Sequence, residues 1–123
     1  MCPFLLVEDH PLNQTIALKI LKKKEMLVDL AKDGVEAVEK FKGSSKNYYD
    51  AILMDIRMPR MTGLEAAIAI RQSDREDAKE IVIIAMSANA FDEDVEKSKE
   101  AGMNEHLSKP IEPERIYETL AAY

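Results

Sequence analysis

The sequence predicts an α/β fold, a three-layer sandwich in which a parallel five-stranded sheet of order 2-1-3-4-5 lies between two layers of helices. Two observations predict it. Apolar runs of strand length alternate five times with segments of helical period, the pattern of repeated βα units. The runs also differ in polarity. Phe4-Leu5-Leu6-Val7, Ala51-Ile52-Leu53-Met54 and Ile81-Val82-Ile83-Ile84-Ala85 are continuously apolar, as strands covered on both faces must be. Leu27-Val28-Asp29-Leu30 carries an acid and Glu105-His106-Leu107-Ser108 is mostly polar, which suits the second and fifth strands to the edges. With right-handed crossovers, 2-1-3-4-5 is the simplest order that satisfies both constraints.

In chain order, the first strand is expected over Pro3–Glu8 and the first helix over Pro11–Lys24, with Pro11 at a first helical position. Lys22-Lys23-Lys24 falls at the end of that helix, where cations offset the helix dipole. Met26–Ala31 is the second strand. The second helix, Asp33–Lys42, opens with capping-box spacing between Asp33 and Glu36. The short loop Gly43-Ser44-Ser45-Lys46-Asn47 leads to the third strand, Asp50–Asp55. Thr62 and Glu65 repeat the capping-box spacing ahead of a helix over Thr62–Gln72, and Ser73–Lys79 is a polar connection. Glu80–Ser87 is the fourth strand. A helix over Ala90–Ala101 ends at Gly102, a residue suited to the left-handed conformation, and Asn104–Ser108 is the fifth strand. The last helix, Glu112–Ala122, has Pro113 near its start.

A length of 123 residues suits one domain, 1–123, large enough to fold without disulfides or a structural metal. Apolar residues make up 46% and charged residues 33%, and no apolar run approaches the roughly 18 residues of a membrane span. Met1-Cys2-Pro3 lacks the basic start and cleavage site of a signal peptide, so a cytoplasmic domain without membrane contact is expected. Cys2, the one cysteine, has no partner for an internal disulfide. The net charge of −6 argues against nucleic-acid binding by this domain alone. The seven methionines are scattered and read as core or loop residues rather than a metal-binding box.

Functional chemistry concentrates where strands end. Glu8-Asp9, Asp55, Ser87 and Lys109-Pro110 each follow an apolar run or close one. In an open parallel sheet those ends share one edge, and the 2-1-3-4-5 order puts its switch point between the first and third strands, beside Asp9 and Asp55. Three carboxylates, a hydroxyl and an ammonium would then converge. Carboxylates about 4 Å apart repel by roughly 4 kcal/mol per pair at an effective dielectric of about 20, so a sheet gains no stability from such a set. A cation and an incoming anion would satisfy it. Few oxygen ligands with room for waters and phosphate suit Mg²⁺. Because adjacent residues point to opposite sides of a strand, Glu8 and Asp9 cannot ligate one ion alike, and one of them is expected to act through water. Lys109 would remain protonated among the acids and pair with a transferred phosphoryl group. Ser87 is placed to donate its hydroxyl to a phosphoryl oxygen, although a lone serine at such a position is ordinarily a helix cap.

These residues resemble a receiver domain of the response-regulator family of two-component signalling. The matching runs are Phe4-Leu5-Leu6-Val7-Glu8-Asp9, Ile52-Leu53-Met54-Asp55-Ile56-Arg57-Met58-Pro59 with Gly63, Ala85-Met86-Ser87-Ala88-Asn89-Ala90, and Gly102-Met103-Asn104-Glu105-His106-Leu107-Ser108-Lys109-Pro110. The likeness runs the whole length, and Asn13, Asn89-Ala90 and Lys109-Pro110-Ile111 look most like receivers of hybrid histidine kinases. The resemblance implies a flavodoxin-like fold and a phosphorelay function. Asp55 would accept a phosphoryl group from a phosphohistidine on a histidine kinase or histidine phosphotransfer domain. Mg²⁺ would be held by Asp9, Asp55 and the Arg57 backbone carbonyl, with Glu8 acting through water; Lys109 and Ser87 would contact the phosphoryl group. The Lys109-Pro110 bond would be cis, and the domain would catalyse its own phosphorylation and slow dephosphorylation while serving as a signalling module. Two positions depart from the usual pattern. Ser87 stands where Thr is commoner, and His106 stands where an aromatic switch residue, often Tyr, is usual. The other possibility for His106 is an exposed edge-strand residue with no switching role. His10 is expected to lie beside the site without ligating.

Other chemistries fit less well. A haloacid-dehalogenase-like phosphatase also uses a strand-end aspartate but has a second one two residues on, where this chain has Arg57. A flavin or nucleotide module would want a Gly- or Ser/Thr-rich loop after the first strand, where Glu8-Asp9-His10-Pro11 would repel phosphate unless a metal intervened. A receiver-shaped interaction module that is never phosphorylated would not need the intact acidic set.

Overall fold

Strands and helices alternate along the chain in the computed structural model, which describes residues 4–23, 27–44, 48–49, 51–56, 62–73, 78, 80–87, 92–108 and 113–121. The elements are β1 (Phe4–Val7), α1 (Pro11–Lys23), β2 (Val28–Ala31), α2 (Gly34–Gly43), β3 (Ala51–Asp55), α3 (Gly63–Arg71), β4 (Val82–Ser87), α4 (Asp92–Glu100), β5 (Glu105–Ser108) and α5 (Pro113–Ala121). The strands form one parallel sheet of order β2-β1-β3-β4-β5, as the polarity of the five runs predicts.

Strand alternation sorts the core into two layers. Leu5, Val7, Ile52, Met54, Ile83 and Ala85 pack with Phe41 of α2 and with Ala66, Ala67 and Ile70 of α3. Leu6, Leu53, Ile84, Met86 and Leu107 pack on the other face with Ala17, Ile20 and Leu21 of α1 and Ile116 of α5. The methionines of the core, Met54, Met86 and Met103, fill gaps as the scattered pattern suggests.

Most boundaries differ from the expected ones by a residue or two, and several have a local cause. Asp33 is the N-cap of α2 rather than its first residue; its side chain accepts from the Glu36 N–H at 2.9 Å. Thr62 caps α3 with the full capping box, in which the Glu65 carboxylate also accepts from the Thr62 N–H. β2 starts at Val28, two residues later than expected, and Leu27 is exposed. Helices α1 and α5 begin at Pro11 and Pro113, where the missing N–H costs no helical bond. Gly102 has φ of 96°, the left-handed conformation expected of it.

Candidate functional site

β1 and β3 are neighbours in register, Val7 beside Met54, so both chains leave the sheet at the same edge. Glu8 extends β1: its N–H donates to the Ala31 carbonyl at 3.1 Å, and its own carbonyl accepts from Gln14 Nε2 at 2.7 Å. That places the Glu8 side chain inward, only 2% exposed, whereas Asp9 beyond it is exposed. Asp55 ends β3 and is 5% exposed. One carboxylate oxygen from each of Glu8, Asp9 and Asp55 lies within 4.8 Å of the other two. The strand-end convergence is therefore real for all three acids, and the expected inequality between Glu8 and Asp9 takes the form of one buried and one solvated carboxylate.

The neighbours of these acids orient them. Glu8 Oε1 accepts from the His10 N–H at 3.3 Å and from Asn13 Nδ2 at 3.4 Å. His10 thus meets the site through its backbone, while its side chain is exposed, in line with a role beside the site. Behind Asp55, the Ile56 N–H donates to the Met86 carbonyl at 3.0 Å and the Gly63 N–H to the Ile56 carbonyl at 2.8 Å. A Cβ at position 63 would sit 2.2 Å from the Asp55 carbonyl oxygen, so the head of α3 reaches the acid's main chain only because residue 63 is glycine. Gly63 stands in the recognised sequence pattern, but nothing in the one-dimensional sequence reveals this contact.

Ser87 closes β4 with its backbone paired to Ser108 of β5, at the same sheet edge as Asp55. The Ser87 side chain, Arg57, Lys109 and Pro110 lie outside the described residues, as do Cys2, Asn89 and Ala90. His106 is half-buried, with Nδ1 3.3 Å from Ser98 Oγ of α4, and Ser98 is itself 1% exposed. It is tied to α4 by that contact while part of the ring stays in solvent. Ser98, Lys99, Met103, Asn104, Glu105 and His106 border a small cavity of about 180 Å³.

Comparison with known proteins bears directly on this constellation. The family model described as the response regulator receiver domain matches residues 4–121. The chain belongs to the receiver domain family. It is 41% identical over 119 residues to hybrid signal transduction histidine kinase I of Dictyostelium discoideum, a match covering 94% of this chain and 7% of that protein. The chain therefore spans a small fraction of that relative's length. Among solved structures, the receiver domain of the sensor histidine kinase PA1611 from Pseudomonas aeruginosa PAO1, which has a magnesium ion coordinated in its active-site cleft, superposes with a TM-score of 0.88 at 38% identity, covering 99% of this chain and 96% of that one. The receiver domain of the Saccharomyces cerevisiae response regulator Ssk1, crystallised with the histidine phosphotransfer protein Ypd1, gives a TM-score of 0.86 at 28% identity over 98% of this receiver and 86% of that chain.

Proposed function

We propose that this receiver accepts a phosphoryl group on Asp55 from a phosphohistidine of a histidine kinase or histidine phosphotransfer partner, in a Mg²⁺-dependent reaction, and signals by changing conformation. The observation that carries it is the buried Asp55 carboxylate with Glu8 and Asp9 oxygens within 4.8 Å. Like charges so close fit a divalent cation, with Asp9, Asp55 and the Arg57 carbonyl as ligands and Glu8 acting through water. When bound, the ion supplies positive charge against which an anionic nucleophile and an anionic phosphoryl group can meet.

An Asp55 carboxylate oxygen attacks phosphorus, the phosphorus–nitrogen bond to the donor imidazole breaks, and the ring nitrogen keeps the electron pair. Burial keeps Asp55 shielded from bulk water, and the main chain of the next residue, Ile56, is pinned by bonds to Met86 and Gly63. Lys109 and Ser87 are assigned to the phosphoryl oxygens as cation and hydroxyl donor. His106, bonded to α4 through Ser98, is assigned to reading the state of the site. The donor's approach is assigned to α1, whose first turns expose Leu12 at 62% and Ile16 at 45%, one helical turn apart on one side. An apolar strip there, on the helix that follows Asp9 in the chain, suits a helical partner. No helix among the described residues is long and apolar enough to cross a membrane.

Incubation with Mg²⁺ and acetyl phosphate is expected to add the mass of one phosphoryl group, stable to acid and labile to base, and chelation of the metal should abolish it. Asp55→Asn should remove the label completely; persistence in that variant rules out the assignment. On addition of beryllofluoride, the His106 imidazole signals should move, and unmoved signals would remove His106 from the switch.

A further inference from the structure

The end of α3 remote from Asp55 holds an arrangement that phosphoryl transfer does not use. Arg71, the last residue of α3, donates three hydrogen bonds of 2.9 Å to three places: Nη1 to the Ala78 carbonyl, Nε to the Gly102 carbonyl and Nη2 to Asn104 Oδ1. Asn104 Oδ1 also accepts from the Ile83 N–H at 2.9 Å, and the Asn104 N–H donates to the Ile83 carbonyl at 2.7 Å. One guanidinium and one side-chain amide thus join the tail of α3, the approach to β4, β4 itself and the turn between α4 and β5. Only the planar fork of arginine can reach three such acceptors at once; lysine would present a single point charge. The fit is close, since a Cβ on Gly102 would lie 2.9 Å from Arg71 Cγ. That turn continues into α4 and β5, because the Met103 N–H donates to the Ser98 carbonyl at 3.0 Å and Ser98 meets His106.

The head of α3 is held as tightly to the acceptor. Its first residue, Gly63, contacts the Asp55 main chain too closely to admit a methyl group. Between these two ends stand nine residues of helix, about 13 Å long, packed on the sheet through Ala66, Ala67 and Ile70. A close-packed rod fixed at both ends transmits displacement instead of absorbing it.

We propose that α3 is a strut coupling the main chain at Asp55 to the α4–β5 turn, with Gly63 and Arg71 as its two joints. The strut reaches the His106 strand through the turn before it, at Gly102 and Asn104, along a path separate from any side-chain movement at Ser87. It rests on Asp55 being the loaded residue, and the experiment keeps the two ideas apart. Amide spectra of ¹⁵N-labelled wild type and Arg71→Lys are recorded with saturating Mg²⁺ and beryllofluoride. In both proteins the signals of 55–63 should move fully, while those of 98–106 move in the variant by less than half their wild-type displacement. A purely structural Arg71 would lower the melting temperature and leave the 98–106 response whole, and that result overturns the strut. Wild type that fails to respond at 55–63 overturns the acceptor assignment beneath it. Hydrogen exchange in the wild type needs no variant: loading should change protection of the Ile83 and Asn104 amides at least threefold, and unchanged protection sinks the strut even where Arg71→Lys does not fold.

Discussion

The two poles of the sheet treat charge in opposite ways. At the carboxyl edge, three acids of one sign converge from β1 and β3, two of them buried. At the other pole Arg71, also drawn into the protein, places three donors on three acceptors at 2.9 Å. Burial pushes the Arg71 guanidinium below its ordinary range, yet a group of that strength stays charged at neutral pH. The difference separates a place that receives a ligand from a joint made within the chain. A guanidinium spread over three chain acceptors ties the fold together, whereas three carboxylate oxygens gathered within 4.8 Å make a place for a divalent cation.

Three substitutions could break or sharpen this contrast. Arg71→Met should have the largest effect, destabilising the fold by about 3 kcal/mol in urea titration, because three acceptors lose a charged donor. A cost under about 1 kcal/mol would mean that these three bonds do not hold the joint. Gly63→Ala comes next, with an expected loss of about 1–3 kcal/mol as the new methyl displaces the Asp55 main chain, together with slower labelling by acetyl phosphate. Asp9→Asn should have the opposite sign. In metal-free, low-salt buffer it should stabilise the protein by about 1 kcal/mol, since Asp9 is exposed and its repulsion from Glu8 and Asp55 is moderated by water. The same variant should lose most of the upward melting shift that Mg²⁺ gives the wild type. Destabilisation in metal-free buffer would erase the distinction between the poles.

The smallest effect tests a polar pair belonging to neither pole. Tyr49 donates its hydroxyl to Asp29 Oδ2 at 2.9 Å, and burial, followed by that bond, pushes the phenol well above its usual value. A group whose folded-state pKa is raised contributes fully below its unfolded value, about 10, and the contribution falls away as pH rises above it. Wild type should therefore lose stability between pH 10 and 11, and Tyr49→Phe should lose less over the same interval. Parallel losses would mean that the phenol does not report on this bond.

How much of this was legible in the residues follows from the range of the forces involved. Strand order could be read because helices cover both faces of central strands, and continuous apolar runs such as Ile52-Leu53-Met54 record that directly. Caps at Asp33 and Thr62 could be read because they act over three residues. The acidic site was legible through strand ends, since the sheet edge collects them. The contacts of Arg71 with Gly102 and Asn104 span 31 and 33 residues and join groups that look like ordinary loop polarity in one dimension. The Gly63 contact with Asp55 is an approach too close for a methyl group, and a sequence does not record how near two distant backbones come.

Strand alternation carries one last consequence. Ile52 and Met54 belong to one core layer and Leu53 to the other, so Asp55 takes the parity of Leu53. Removing or adding a single residue within β3 would reverse that parity, exchanging the two layers and turning the acceptor away from Glu8 and Asp9. Relatives and engineered versions of this domain should therefore vary freely in the length of their connections while keeping the count of residues from Ala51 to Asp55 constant, so that the reading frame of the sheet guards the chemistry as closely as the identity of the aspartate does.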